Sequence, residues 1–224
     1  MSRLFRIYET ASNKANLVVF PETYIPAFPI WDSVRPPTHN HEFFKHTTLE
    51  SICQKVPSTL ARDTIYVDGE EAGAIRAAAK QLGILVSIGI SAKVHTSSAT
   101  LFNSNVIIGS DGDILVHHKK PMPTFFEKLT WVPGGGYGLR VAETRFGEEL
   151  HVSTWPEVWP TRISTSAGAN YDNIATNHTR EAGHCFEAKY FGILCSGFLD
   201  ADAIELAAFG YDDEYFITRG LEQS

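Results

Sequence analysis

Three residues of this sequence, Glu22, Lys120 and Glu127, have the types and spacing best suited to catalysis. The first of them is Glu22. It closely follows the apolar run LVVF (17–20), within the stretch VVFPETYIP. Such a run predicts a strand that is buried on both faces, and sites in α/β proteins lie at the carboxyl ends of such strands. Partial burial there raises the pKa of a carboxyl group toward the range of a general base. The alternative is that Glu22 is a capping or surface residue.

The second group is Lys120, in the stretch HHKKPMPTFFEKLTW (117–131). Side chains alternate along a strand, so His118 and Lys120 are predicted to share one face while Lys119 takes the other. A fixed ammonium group could stabilise a developing anion, and Glu127 follows closely enough to pair with it. The alternative is a solvated basic edge strand, which protects a sheet from edge-to-edge association.

The three cysteines form neither a disulfide framework nor a zinc motif, and the histidines have no metal-ligand spacing. Cys195 lies among apolar residues in GILCSGF, which predicts a buried core thiol whose thiolate is disfavoured. Cys185 follows His184 in a helical pattern, where adjacent residues do not face each other. Cys53 falls in the amphipathic segment LESICQKV. None of the three is a strong candidate for a nucleophile.

The glycine-rich run WVPGGGYG (131–138) is only superficially similar to a phosphate-binding loop. It lacks the Gly-Lys-Ser/Thr ending of such a loop, and no G-x-G-x-x-G pattern precedes a helix. We therefore interpret it as a flexible turn.

The elements that must position these groups predict one α/β domain with mixed sheets over residues 1–224. Helices are predicted over residues 2–15, GEEAGAIRAAAKQLG (69–83) and NIATNHTREAGHCFEAKYF (173–191). Strands are predicted for LVVF, ILVSIGISA (84–92), LFNSNVIIG (101–109), DILVHHK (113–119), LRVAETRF (139–146), ELHVSTW (149–155) and GILCSGF (192–198). Ser-Asp-Gly-Asp (110–113) is a hairpin signal, and a long loop with several prolines follows Pro21.

Bulk composition excludes several classes of function. The net charge of −7 argues against a nucleic-acid partner, because phosphates repel such a surface and no separate basic patch is present. The sequence offers no apolar stretch of signal-peptide length and none that could span a bilayer, so no membrane partner is expected. An odd number of irregularly spaced cysteines fits a reducing, cytoplasmic environment.

Together these stretches resemble the nitrilase, or carbon–nitrogen hydrolase, superfamily. LVVFPETYIPAFPIW is similar to the segment that carries the catalytic glutamate of the nitrilase branch, and DGDILVHHKKPMPTFFEKLTW to the segment that carries the catalytic lysine. The resemblance implies an α-β-β-α sandwich. It also implies that Glu22 is the base, that Lys120 stabilises the anion and that Glu127 supports them. Glu187 would occupy an acidic position near the pocket.

The family reaction implied by this resemblance is hydrolysis of a nitrile to a carboxylic acid and ammonia, or to an amide. A cysteine thiolate forms a covalent thioimidate, and neither a metal nor an organic cofactor is needed. The expected partners are a small nitrile or amide and further copies of the chain in a homo-oligomer. Aromatic residues near the motifs, Trp131 among them, suggest an apolar substrate pocket, although aromatic residues are as often part of a core.

The junction Gly147–Glu148 raises the question of activity. In the family, a strand, a turn with the nucleophilic cysteine and a helix lie between segments like TRFG and ELHVSTWP, which requires about 20 residues or more. Here the two segments are adjacent, so the chain is expected to lack the nucleophile, and it also looks incomplete at both ends. We therefore expect an inactive family member. The alternatives are a truncated or mis-spliced product and a small-molecule binding protein.

Overall fold

The computed structural model describes residues 7–9, 14–30, 65–142, 150–156 and 172–198. Residues 7–9 are helical, and most of the helix predicted over 2–15 lies outside the described residues. The strands are β1 (Leu17–Val19), β2 (Ile65–Tyr66), β3 (Leu85–Val94), β4 (Ser97–Ile108), β5 (Ile114–Lys119), β6 (Leu150–Trp155) and β7 (Phe191–Ser196). The helices are α1 (Glu70–Leu82), α2 (Asn173–Ala188) and the 3-10 helices Phe125–Leu129 and Gly136–Gly138.

The first sheet contains β1 to β5 and mixes parallel with antiparallel pairs. Its order is β1-β3-β4-β5, and β2 pairs with β3 as well. Strands β1 and β2 both run parallel to β3, β1 along its beginning and β2 along its end. Strands β3, β4 and β5 form an antiparallel meander. The segment that carries Glu22 therefore leaves β1 along the same edge of β3.

Local sequence signals account for the elements of this sheet. Helix α1 begins with Glu70 and Glu71, whose charges suit the helix N-terminus, and ends at Gly83 in the left-handed region with φ of 66°. Gly112, with φ of 85°, makes the predicted turn between β4 and β5. The predicted helix and the three predicted strands of the meander are confirmed by these bounds.

A continuous apolar core lies between α1 and the first sheet. Ala78 and Ala79 of α1 are fully buried, as are Val86 and Ala92 of β3. The main core cluster comprises Ile7, Val18, Phe20, Ile65, Ala72, Ile75, Ala78, Ala79, Ile84, Val86, Ile88, Ile90, Ala92, Val106 and Ile108. Burial of this many aliphatic side chains is the main source of stability for this layer.

The second sheet consists of β6 and β7, which pair in parallel over their whole length, with α2 between them in sequence. Asp172 caps α2 by accepting a hydrogen bond from the Ala175 amide at 2.9 Å. The buried residues of α2 are both polar, Asn177 and Glu181. This layer therefore contributes little apolar burial of its own.

Two sequence expectations differ from the structure. Leu139–Ala142, the described part of the predicted strand LRVAETRF, is not a strand, and the remainder lies outside the described residues. In the glycine run, Gly135 and Gly136 are exposed as in a turn, but Gly138 is buried and a Cβ there would lie 2.5 Å from the carbonyl oxygen of His117. Glycine is needed where this segment packs against β5.

Candidate active site

Glu22 is held by a tight crossing of its backbone over β3. The Phe20 amide donates to the Ser87 carbonyl at 2.8 Å, and the Ser91 amide donates to the Ile25 carbonyl at 2.8 Å. A Cβ at Gly89 would lie 2.2 Å from the Pro21 carbonyl oxygen and 2.8 Å from the Cα of Glu22. Glycine at position 89 is therefore what allows the loop to lie against the strand and to fix Glu22 over it.

Lys120 is fixed one residue beyond the end of β5. Its amide donates to the Asn103 carbonyl at 2.8 Å, and its own carbonyl accepts from the Gly134 amide at 2.9 Å. Lys119 turns to the ring of Phe102, with Nζ 4.2 Å from the ring centre. His118 and Lys120 both line the cavity described below, as the predicted alternation requires.

Glu127 belongs to the 3-10 helix Phe125–Leu129, where its side chain both caps the helix and contacts Lys120. Its Oε2 accepts the Thr124 amide at 2.6 Å, which closes a capping box at the start of this helix. Its backbone carbonyl accepts the Trp131 amide at 2.8 Å. Its Oε1 remains directed at Lys120.

These three side chains meet in one charged triad. Lys120 Nζ lies 2.8 Å from Glu22 Oε1 and 2.8 Å from Glu127 Oε1. Asn103 adds a fourth member, because its Nδ2 donates to Glu22 Oε1 at 2.6 Å. Lys120 thus contacts Glu127, as their spacing suggested, and it contacts Glu22 as well. A solvated edge lysine does not describe Lys120, whose side chain is 27% exposed and bridges two buried carboxylates.

Burial shifts the ionisation of this triad. Loss of hydration raises the pKa of Glu22 above its usual value, and the nearby Lys120 ammonium only partly offsets that effect. Burial by itself lowers the pKa of Lys120, but the carboxylates of Glu22 and Glu127 outweigh burial and raise it overall. Lys120 therefore stays a cation, and Glu22 is the group whose proton affinity is increased toward that of a general base.

The triad lies in the wall of a large cavity of about 1310 Å³. The first sheet contributes the charged wall with Glu22, Asn103 and Lys120. The second sheet and α2 contribute residues that include His151, Thr154, Trp155, Arg180, His184 and Tyr190. The cavity is therefore bounded by both sheets and is open to a small organic molecule.

Two residues that were expected at the pocket are not brought to it. Trp131 is 1% exposed and donates from Nε1 to Ser91 Oγ at 2.9 Å, in a small core cluster with Phe28 and Leu101. Its ring thus fills the core rather than the cavity. Glu187 is exposed on α2 and is absent from the described cavity lining. A helix turns about 100° per residue, so Glu187 lies well away from the buried face that Glu181 marks.

Sequence reasoning missed Asn103 and Glu181. Asn103 is 4% exposed in β4, and it lies in a run of polar residues, 103–105, that gives no sign of which side chain faces inward. Glu181 is 5% exposed and accepts hydrogen bonds from Ser153 Oγ and, at 3.3 Å, from Cys185 Sγ. Its signal was an acidic residue one helical turn before a cysteine.

Neither described cysteine lines the cavity. Cys195 is half-buried with Sγ 3.6 Å from the Val19 carbonyl oxygen, and burial raises its thiol pKa. The thiol pKa of Cys185 is also raised. Both thiols are thus protonated at neutral pH, as was predicted for Cys195, and Cys53 lies outside the described residues. In the described part of the chain, no set of three or more His, Cys, Asp or Glu side chains could hold a metal ion.

Comparison with solved structures identifies the fold. A carbon–nitrogen hydrolase from Helicobacter pylori G27 matches with a TM-score of 0.54 at 16% identity, over 89% of this chain and 67% of that one. This likeness confirms the expected nitrilase-like α/β fold with mixed sheets. Among the described helices, none has the length and apolar character required to cross a membrane.

Sequence comparison fixes the family. The carbon–nitrogen hydrolase family model matches residues 6–183. An arylacetonitrilase of Hypocrea virens is 36% identical over 155 residues, covering 69% of this chain and 42% of that protein. A cyanide hydratase of Gibberella zeae is 33% identical over 165 residues, covering 72% and 42%. The chain belongs to the carbon–nitrogen hydrolase family, and it spans less than half the length of these nitrilase relatives.

Proposed function

We propose that the triad of Glu22, Lys120 and Glu127 is the acid–base and anion-binding part of a nitrile-hydrolysing site within a single domain. The carrying observation is that Lys120 Nζ lies 2.8 Å from an oxygen of each carboxylate in the wall of a large cavity. The nearby relatives act on nitriles or on cyanide by name, which supports a small nitrile or amide as the substrate.

In the complete reaction, a cysteine thiol gives its proton to Glu22 as its sulfur adds to the nitrile carbon. Glu22 passes that proton to the nitrile nitrogen, which completes the thioimidate, and the regenerated carboxylate then deprotonates a water molecule that adds to the thioimidate carbon. Lys120 lies where its ammonium can stabilise the negative charge of the tetrahedral adduct. Glu127 holds Lys120 in place, since its other oxygen is engaged by the Thr124 amide. The proton taken from water goes to the departing nitrogen, ammonia leaves a thioester, and a second water molecule hydrolyses that thioester to the acid and the free thiol.

The chain as written lacks the nucleophile for this sequence of steps. Gly147 is followed directly by Glu148, at the position where the family resemblance calls for a cysteine-bearing turn. Cys185 and Cys195 lie outside the cavity lining, and Cys53 lies outside the described residues. We therefore propose that this chain is a pseudoenzyme, cytoplasmic and homo-oligomeric, which uses no cofactor.

A second candidate function is binding of a small molecule without turnover. The cavity of about 1310 Å³, with a charged wall and an aromatic wall, supports this alternative. A ligand that binds only the folded chain would raise its melting temperature. A truncated or mis-spliced product without a function of its own would not respond in this way.

The test is ammonia release from aliphatic and aromatic nitriles, measured on the chain and on a repaired chain. The repaired chain carries a strand, a cysteine turn and a helix between Gly147 and Glu148. We expect no enzymatic turnover by the original chain, and turnover by the repaired chain that Glu22→Gln or Lys120→Ala abolishes.

Cys53→Ala, Cys185→Ala and Cys195→Ala in the original chain are the matched controls. Turnover by the original chain that one of these substitutions removes would identify that cysteine as the nucleophile, and the pseudoenzyme proposal would be wrong. Turnover by the repaired chain that survives Glu22→Gln would remove the proposed role of Glu22.

A further inference from the structure

The two hydrogen bonds that Glu22 receives both end on the same oxygen. Asn103 Nδ2 lies 2.6 Å and Lys120 Nζ lies 2.8 Å from Oε1. Among the described residues, none donates a hydrogen bond to Oε2 of Glu22. Within the described residues, the carboxyl group is therefore held through Oε1 alone, and Glu22 lines the cavity.

The position of Asn103 in β4 allows its side chain to hold Oε1 of Glu22. It is 4% exposed, and its backbone carbonyl accepts the amide of Lys120 at 2.8 Å. The same residue thus fixes the backbone of the lysine and the side chain of the glutamate. Burying an amide side chain costs free energy unless it is hydrogen-bonded, and the carboxylate of Glu22 supplies an acceptor.

We propose that Asn103 is a positioning residue that anchors Oε1 of Glu22 and leaves Oε2 as the oxygen that takes up and releases protons. This inference rests on the proposed role of Glu22 as the general base. The donor is neutral and does not titrate, so it binds Oε1 in both states of the carboxyl group. When Oε2 accepts a proton, Oε1 becomes a carbonyl oxygen that still accepts from Asn103. Glu22 can then change protonation without rotating.

Two charged groups act on Glu22 besides this neutral donor. Lys120 approaches from the end of β5 and favours the carboxylate, whereas Glu127 approaches from the 3-10 helix and disfavours it. Replacing Asn103 changes neither charge. An altered pKa of Glu22 in such a variant would therefore report the lost hydrogen bond rather than a changed net charge.

The experiment is a pH titration of the full chain labelled with ¹³C at the glutamate carboxyl carbons. The signal of Glu22 is assigned by its loss in Glu22→Gln. We expect Asn103→Ala to raise the pKa of Glu22 by up to about one, because the amide donor binds the charged carboxylate more strongly than it binds the carbonyl oxygen of the protonated carboxyl group. Asn103→Ser keeps a small polar side chain that cannot span the same distance, and it should give the same direction if the alanine variant folds poorly.

Asn105→Ala is the matched control. Asn105 lies two residues further along β4, accepts from Ser87 Oγ at 3.1 Å and makes no hydrogen bond to Glu22. Its replacement should leave the pKa of Glu22 unchanged. An unchanged pKa in both Asn103 variants, or an equal change in Asn105→Ala, would overturn the inference. Ammonia release by the repaired chain is a separate readout. Failure of the proposed reaction and failure of this anchoring role are therefore distinguishable.

Discussion

The first sheet and the second sheet of this protein differ in how far their apolar side chains are buried. In the described part of the chain, every buried apolar side chain lies at or before Trp131. The second sheet with α2 buries the polar residues Asn177 and Glu181. Its aromatic residues Phe186 and Phe191 are instead 75% and 72% exposed. One layer has a core of its own and the other does not.

An apolar sequence pattern therefore predicts burial only when the elements that cover it are present. The stretch GILCSGF predicts a buried strand, yet β7 is mostly exposed or half-exposed. Its side chains lack a second apolar layer within the described residues. The family resemblance calls for a further strand and helix between Gly147 and Glu148, and such elements would supply the cover. Within the described residues, the first layer therefore covers its own apolar side chains and the second layer does not.

The largest effect should come from opening a cavity in the first layer. Ile90→Ala in β3 removes a side chain that is 2% exposed, and we expect it to lower the free energy of unfolding by about 2–4 kcal/mol. Leu194→Ala in β7 removes one that is 39% exposed and should cost less than about 1 kcal/mol. Urea unfolding measures both. Equal losses would mean that the second layer is packed as tightly as the first.

Breaking the charged triad should have the next largest effect. Lys120→Met leaves two buried carboxylates together and should cost roughly 2 kcal/mol at pH 7, reduced by the partial exposure of Lys120. The folded-state pKa of Glu22 would rise further above that in the unfolded state. Stability should therefore recover as the pH falls toward the ordinary value of 4.5 and decline as the pH rises. Urea unfolding at several pH values checks this.

Glu181→Gln is the counterpart in the second layer. Glu181 bonds to a hydroxyl and a thiol, and the nearest imidazole, His151, lies 3.9 Å away. Removing its charge breaks no strong ion pair, so we expect a smaller loss at pH 7. A loss as large as that of Lys120→Met would show that this cluster also depends on charge.

Reducing the exposed apolar surface should change association rather than folding. Phe186→Ser and Phe191→Ser remove two large exposed side chains of the second layer, which should lower aggregation. Met122→Ser removes an apolar side chain that is 68% exposed beside the first layer and is the control. Light scattering against concentration measures the effect. A monodisperse parent chain would contradict the assignment of the aggregation-prone surface to the second layer. An equal reduction of aggregation by Met122→Ser would contradict it too.

The smallest expected effect is a difference in pKa between two histidines, one in each layer. Burial lowers the pKa of His117 in β5 to about 4, whereas the pKa of His151 in β6 is lowered less because Glu181 opposes the effect of burial. Protonation of His117 is thus resisted in the folded state, so stability should fall as the pH drops from 6.5 toward 4. NMR titration of the ring protons checks the order, and His117→Gln should remove this part of the acid sensitivity. A pKa of His151 below that of His117 would reverse the comparison.

Much of the first layer could be predicted because its signals are local. The pattern of GEEAGAIRAAAKQLG gives α1 with its glycine cap, and Ser-Asp-Gly-Asp gives the turn between β4 and β5. Glu22 and Lys120 were found because each follows a strand directly. Asn103 was not, because Asn103, Ser104 and Asn105 are consecutive polar residues, and the sequence does not show which of them faces a carboxylate.

The remaining differences have non-local causes. The parallel pairing of β6 with β7 depends on the path of α2, which strand propensity does not encode. Trp131 looked like a pocket residue because it lies near the motif, but Ser91 on a distant strand holds its indole in the core. Leu139–Ala142 looked like a strand because of its apolar residues, yet it forms none.

The crossing of the Glu22 loop over Gly89 also has a consequence for how the molecule folds and opens. The meander of β3, β4 and β5 joins neighbours in sequence, whereas the contact of Glu22 with Lys120 closes a loop of 98 residues. Long closures are late and slow events because their entropy is lost before contacts form. The loop should therefore dock last and undock first, as a separate unit of hydrogen exchange. The amides of Phe20 and Ile25 should exchange faster than that of Val106, and equal protection would show that loop and sheet open together.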